Sequence, residues 1–367
     1  MIPRLTFAHV VLWFGDGWYR RAWFVAPQLF AIVIAGWILI PSSAQPPAGP
    51  GGVPAPWGVP APPVNMGEAA DTLRDRAKTD PAAFEDLKAQ AAAGNAMMQF
   101  ELGTLYDPNF KLSQLVPPDI QTAMRYYRLA AEQGHTVAEN NYGFYLATGN
   151  NGVPRDPNAG FPWVLKAANG NYDLAERNAG ILYRDGIGVA PDRATSLFWF
   201  RKAADAGNRY SQSEIGDAYW NGTPPYTKDQ AEAVKWYQQS ALDPTEAGAA
   251  RMLGVAYRDG LGVPPDRPTS LKWFRQAADK NDTNAAAEIA FAYLDGTPPY
   301  PANPFEAFKW LRIAAASPTE AVAQRFLGIA YRDGRGTPPD KVQARYWFGQ
   351  AAAHGDTEAT KLLATLR

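Results

Sequence analysis

Seven bulky aromatic residues, Tyr126, Trp163, Trp199, Trp236, Trp273, Trp310 and Trp347, recur at intervals of 37, 36, 37, 37, 37 and 37 residues. A period of that length marks a repeat array, in which each unit buries its apolar face only by stacking on its neighbours. Four or five residues after each aromatic lies a pair of small residues, from Ala130-Ala131 through Ser240-Ala241 to Ala351-Ala352, on the same helical face. Between the aromatics runs a second series, Gly103, Gly143, Gly180, Gly216, Gly254, Ala290 and Gly328, where a minimal side chain lets a neighbouring helix approach. The spacing predicts two helices per unit. The first carries the small residue and closes at Gly186, Gly222, Gly260, Gly296 or Gly334, where glycine can turn left-handed. Prolines such as Pro191, Pro264-Pro265 and Pro338-Pro339 then block its continuation, and the second helix carries the tryptophan, which its strict spacing marks as inter-helix core.

The segments YRDGIGVAPDRATSLFWFRKAADAGN, YRDGLGVPPDRPTSLKWFRQAADKND and YRDGRGTPPDKVQARYWFGQAAAHGD begin at Tyr183, Tyr257 and Tyr331. They resemble the Sel-one-like repeat, a relative of the tetratricopeptide repeat, and the resemblance covers about residues 84 to 367. It implies an all-α fold: a right-handed α-solenoid of about seven helix-turn-helix repeats that binds proteins or peptides and assembles complexes, frequently in bacterial envelopes. The first unit departs from the pattern, because PNFKLSQLVPPDIQT replaces the usual turn with a longer connection.

A further order lies above the unit. The YRDG turns at Tyr183, Tyr257 and Tyr331 are 74 residues apart, as are the TPPY turns that follow Tyr219 and Tyr293. Duplication of a two-unit module accounts for this, and equivalent surfaces then recur on every second unit. In the tetratricopeptide arrangement that the chain resembles, positions three before and four after the small residue of the first helix point to the concave side. In one module class these are Arg177 with Arg184, Arg251 with Arg258, and Arg325 with Arg332; the intervening class offers Asp217, Trp220, Phe291 and Leu294. These ten residues are the candidate partner-binding set, suited to an acidic peptide or protein. The alternative is that the arginines pair with carboxylates such as Asp185, Glu214, Asp259, Glu288 and Asp333 and hold adjacent units in register. Trp220, outside the periodic set, is the tryptophan best placed for a surface.

Ahead of the repeats, Ala22 to Ile40 is a run of 19 residues without a charge, about 28 Å of helix against a hydrocarbon core of roughly 30 Å. Trp23, Pro27, Phe30 and Trp37 belong to this candidate membrane anchor. Arg4, Arg20 and Arg21 precede it and no charge follows until Glu68, so the positive-inside rule predicts a cytoplasmic N-terminus and a periplasmic solenoid on a bacterial inner membrane. A secretory signal cleaved after Ala44 is the rival reading. The expected organisation is therefore residues 1–40 as cytoplasmic segment and transmembrane helix, 41–67 as an extended proline-rich linker, and 68–367 as the solenoid.

Composition narrows the chemistry. A formal charge of -1 argues against a protein held to nucleic acid by bulk charge. The absence of cysteine removes disulfides, thiolate metal sites and cysteine nucleophiles, and His9, His135 and His354 form no recognised metal or triad signature. No phosphate loop, nucleophile elbow, zinc-binding helix or calcium loop is present, so neither cofactor nor catalytic residue is expected. The expected role is a membrane-anchored periplasmic scaffold for another protein, as accessory subunit of a membrane complex; the alternative is a cell-envelope glycan-binding or glycan-synthesis regulatory protein.

Overall fold

The computed structural model describes residues 66–110 and 112–366, and every regular element among them is helical. The candidate anchor with Trp23, Pro27, Phe30 and Trp37, and the linker except its last two residues, lie outside the described residues. No helix among the described residues is long and apolar enough to cross a membrane. Two helices, α1 (Met66–Ala77) and α2 (Pro81–Ala92), precede the periodic part. The first helices of the repeats are α3 (Ala96–Tyr106), α5 (Thr136–Thr148), α7 (Asp173–Asp185), α9 (Arg209–Asn221), α11 (Ala247–Asp259), α13 (Thr283–Asp295) and α15 (Ala321–Asp333). Their second helices are α4 (Ile120–Glu132), α6 (Pro157–Asn169), α8 (Arg193–Asp205), α10 (Gln230–Ser240), α12 (Arg267–Ala278), α14 (Pro304–Ala314) and α16 (Lys341–Ala353). A last first-type helix, α17 (Thr357–Thr365), closes the described chain.

Each repeat is folded by the same few devices. In the third to seventh repeats the first helix ends on a left-handed glycine, with φ between 66° and 72° at Gly186, Gly222, Gly260, Gly296 and Gly334. The N–H of the residue capping the second helix then closes the turn on the carbonyl of the aromatic that ends the first: Asp192 on Tyr183 at 2.9 Å, Asp266 on Tyr257 at 2.8 Å, Asp340 on Tyr331 at 2.8 Å. In the capping residue, the side chain of Asp192 accepts from the N–H of Thr195, satisfying a donor that the helix start leaves free.

The two helices meet where the small residue lies, and the ring that fills the gap sits one position past the periodic aromatic. A Cβ on Gly254 would come within 2.5 Å of the Phe274 ring, and Gly103, Gly180, Gly216 and Gly328 face Tyr127, Phe200, Tyr237 and Phe348 in the same way. These five rings are among the largest fully buried side chains. This corrects the expectation for the tryptophans. Trp199 and Trp310 are buried, but Trp163, Trp236, Trp273 and Trp347 are only half-buried and edge the core. On a helix, the residue beside the one facing the partner turns by 100°, which is enough to move a ring from core centre to rim.

Where the filling ring is tyrosine, its hydroxyl requires a buried acceptor. Asp217 accepts from Tyr237 at 2.7 Å, and Asp107 accepts from Tyr127 at 2.9 Å and from Tyr145 at 2.7 Å. The phenylalanine repeats need no such aspartate. Asp107 also anchors the unusual first connection, since the Asn109 N–H bonds its carboxylate at 2.9 Å and the Asn109 amide donates to the Tyr145 hydroxyl at 2.6 Å.

Candidate binding surface

The repeats do not stack evenly on their two sides. First helices of consecutive repeats touch directly, α5 with α7 and α11 with α13, whereas no two second helices approach as closely. The first helices therefore line the crowded inner side, and the candidate residues stand on them.

The arginines bridge consecutive repeats. Arg184 holds Asp185 through Nε and Nη2 at 2.7 and 3.0 Å, while its Nη1 donates to Glu214 at 2.5 Å and to the Tyr210 hydroxyl at 2.8 Å. Arg193, from the start of α8, takes the other Glu214 oxygen at 3.3 Å. One module later, Arg258 holds Asp259 and Glu288, and Arg267 completes the clamp at 3.3 Å. In the second and third pairs the upstream arginine reaches the cap of the next first helix: Arg251 to Asp282 at 3.2 Å and Arg325 to Asp356 at 2.9 Å. Arg177 differs: its Nε donates to the neighbouring Asn178 at 3.3 Å and its guanidinium lies over the Tyr210 ring at 5.5 Å. Hydrogen bonding to Asp185 and Asp259 holds the Arg184 and Arg258 guanidinium pKa above the usual arginine value, and the same bonds depress both aspartates. The bracing geometry left open by the sequence is thus formed, with the Arg184 and Arg258 side chains 30% and 34% exposed.

The intervening class fills the space between these clusters. Phe291 packs edge-on against Phe326 at 5.4 Å, and Leu294 lines a cavity of about 170 Å³ with Phe308, Leu311, Phe326, Ile329 and Arg335. Trp220 is half-buried, with its ring 6.0 Å from Tyr237. Asp217 faces Tyr237, and burial raises its carboxyl pKa above the ordinary aspartate value. Sequence reasoning missed Tyr210, Asp282, Asp356, Arg193 and Arg267. Their signal was the 74-residue module spacing, which equates Arg193 with Arg267 and Asp282 with Asp356.

A second glycine in the turn motif was also unread. Gly262, at φ 76°, lies so close to the preceding repeat that a Cβ would fall 2.4 Å from the Gln230 backbone, and Gly188 and Gly336 repeat this contact. The first glycine of YRDGxG ends a helix; the second locks the turn on the neighbouring repeat. On the opposite side, Lys166 and Lys202 lie over Trp163 and Trp199 at 5.3 and 5.1 Å and pair with the buried Glu139 and Glu176 at 2.6 and 3.0 Å. Among the described residues no cluster of acidic or histidine side chains could hold a metal ion.

A family model described as the Sel1 repeat matches residues 96–135, 136–172, 173–208, 209–243, 247–282, 283–317 and 321–356, the same units that the helices define. The chain is 27% identical over 257 residues to chitin synthase regulatory factor 3 of Schizosaccharomyces pombe, covering 67% of this chain but 27% of that protein. Among solved structures, a Sel1 repeat protein from Oxalobacter formigenes superposes with a TM-score of 0.58 at 27% identity, over 82% of this chain and 86% of that one. A protective antigen of uropathogenic Escherichia coli with an SLR fold gives a TM-score of 0.50 at 30% identity, over 76% of this chain and 66% of that one.

Proposed function

Because the chain belongs to the Sel1 repeat family, we propose that its stacked repeats hold another protein or peptide along the face carried by the first helices. The observation that carries this reading is the recurrence of one part-exposed cluster, an arginine with two carboxylates, at Arg184 and Arg258, each followed in the next repeat by a half-exposed aromatic, Trp220 and Phe291. Charged groups alternating with apolar ones suit an extended, mixed segment, which gains both orientation and buried area. We further propose that residues 22–40 anchor this scaffold in a bacterial inner membrane with the repeats in the periplasm, as accessory subunit of a membrane complex. The uncharged run and the arginines before it support that placement. The similarity to the fission-yeast chitin synthase regulatory factor supports a second reading, in which the partner belongs to glycan synthesis.

A photo-reactive amino acid placed in living cells at Tyr210 or Phe291, on the first helices, is expected to trap a partner. The same group at Val342, exposed on a second helix, is expected to trap none. Adducts from Val342 alone would reverse the assignment, and the identity of the trapped protein separates a membrane complex from a glycan synthase. The chain has no cysteine, so a Val342→Cys variant reports location cleanly. A membrane-impermeant maleimide should label it in spheroplasts, and labelling only after lysis would reject the periplasmic placement.

A further inference from the structure

Two of the three YRDG modules make the same contact, and the third leaves it incomplete. In the first two, the arginine four residues past the small residue gives its Nη1 to a glutamate thirty positions on: Arg184 to Glu214 and Arg258 to Glu288. A second cation at the start of the following helix, Arg193 or Arg267, grips the other carboxylate oxygen. In the third module the arginine is Arg332 and the second cation is Lys341, but the glutamate position holds Leu362. Among the described residues Arg332 pairs only with its neighbour Asp333, through Nε at 2.7 Å and Nη2 at 3.0 Å. Glu358, which stands where Tyr210 stands in the first module, turns instead to Lys361 at 3.1 Å.

A second change points the same way. The residue after the turn glycine is Ile187 and Leu261 in the first two modules and Arg335 in the third. Arg335 shares Asp333 with Arg332, at 3.4 Å, and is 63% exposed. One carboxylate thus serves two guanidinium groups, where in the sister modules two carboxylates serve the equivalent arginine. Arg335 also borders the cavity of about 170 Å³ whose other walls include Leu294, Phe308, Leu311, Phe326 and Ile329, with Asp295 as its one acidic wall. Cationic donors and a recess of mixed lining therefore adjoin at a single point of the array.

We propose that the third module is a carboxylate-binding slot for an acidic segment of the partner. A glutamate or aspartate side chain takes at Arg332 the place that Glu214 and Glu288 take in the sister modules, and Arg335 and Lys341 supply the balancing charge. The slot rests on the partner-binding reading above and gives it a polarity, since the acidic part of the partner lies at the C-terminal end of the array. Charge-assisted contacts of this kind are the strong hydrogen bonds of a protein surface, and salt weakens them where they are exposed.

The test uses the full chain and fluorescein-labelled oligoglutamate, with oligoglutamine as control, read by anisotropy. Oligoglutamate alone should bind, and R332Q and R335L should each weaken it by roughly tenfold, with helicity unchanged by circular dichroism. L362E should supply the missing carboxylate from within the chain, raise the melting temperature, and abolish oligoglutamate binding. Absence of binding to the unaltered chain would overturn the slot, as would binding that persists in L362E or R332Q. Photo-crosslinking from Tyr210 and Phe291 is read separately. A partner still trapped there by a chain that ignores oligoglutamate would sink the slot and leave the scaffold standing.

Discussion

The two halves of the array solve the same packing problem with different chemistry. From α10 to α15 the buried side chains form one continuous apolar cluster running from Ala233 to Leu327. From α3 to α9 the core is broken into separate clusters, and polar groups sit at the junctions between repeats. The difference turns on the fourth position of the first helix. It is Gln99, Glu139, Glu176 and Gln212 in the first half, all buried, but Ala250 and Ala286 in the second, until the buried Gln324 of α15 restores the polar type and donates to the Ala315 carbonyl at 3.2 Å. Gln99 and Gln212 donate to the carbonyls of Ala91 and Ala204, in the last turns of the preceding helices α2 and α8, which also accept from the loop N–H groups of Gly94 and Gly207. Alanine at that position lets apolar contact run across the junction instead. A repeat array behaves as units joined by nearest-neighbour terms, so the first half should open in pieces and the second as one block.

Removing a core ring tests this most severely. Phe274→Ala should cost about 3–5 kcal/mol, and hydrogen exchange should show protection falling together across α10 to α15. Phe200→Ala should cost a similar amount but expose mainly α7 to α9. Equal spread of the two effects would dissolve the distinction between the halves.

The next effect is an asymmetry inside the polar half. Glu176 is 3% exposed and relies on Lys202, whose own side chain is 35% exposed. Lys202→Met leaves a buried carboxylate unpaired and should cost about 3 kcal/mol, whereas Glu176→Gln should cost under about 1 kcal/mol, since its lysine can turn to water. Thermal melts that rank the two variants the other way would show that Glu176 is not the dependent partner. A smaller loss, about 2 kcal/mol, is expected for Gly262→Ala, from a left-handed backbone and a Cβ driven towards Gln230. An unchanged melting temperature there would show that the turn yields without loss.

How far the sequence could be read follows from what a period reports. The repeat spacing located both helices, their glycine ends and the small-to-large interlock, because each recurs in almost every unit. It misplaced the core by one residue, choosing Trp163, Trp236, Trp273 and Trp347 over Val164, Tyr237, Phe274 and Phe348, since tryptophan is the more conspicuous of two adjacent apolar residues and both recur. It also named the arginines and offered Glu214 and Glu288 as their partners, but no spacing decides whether Arg184 reaches one carboxylate or two. The Asp107 and Asp217 acceptors were the least legible. They occupy different positions in the repeat, Asp107 four and Asp217 one residue past the small residue, and are linked only by the tyrosine hydroxyl that each satisfies.

That tyrosine–aspartate contact supplies the smallest effect, at the border between the two halves. Burial is the largest influence on Asp217 and raises its pKa above 3.8 despite the Tyr237 hydroxyl, which acts the other way. The folded state therefore binds the Asp217 proton more tightly than the unfolded chain does, and the cost of burying the charge, present at neutral pH, is relieved as pH falls through the folded pKa towards 3.8. Asp185, Asp259 and Asp333 are depressed by their arginines, so their stabilisation is present above 3.8 and is lost as pH falls through their folded pKa values. Asp217→Asn keeps an acceptor for Tyr237 and removes the charge. Its melting temperature relative to the unaltered chain should be most favourable near neutral pH, and that advantage should shrink steadily on acidification. An advantage that instead grew with acid would mean that Asp217 is charged and stabilising in place, and that the border between the two halves belongs with the polar junctions.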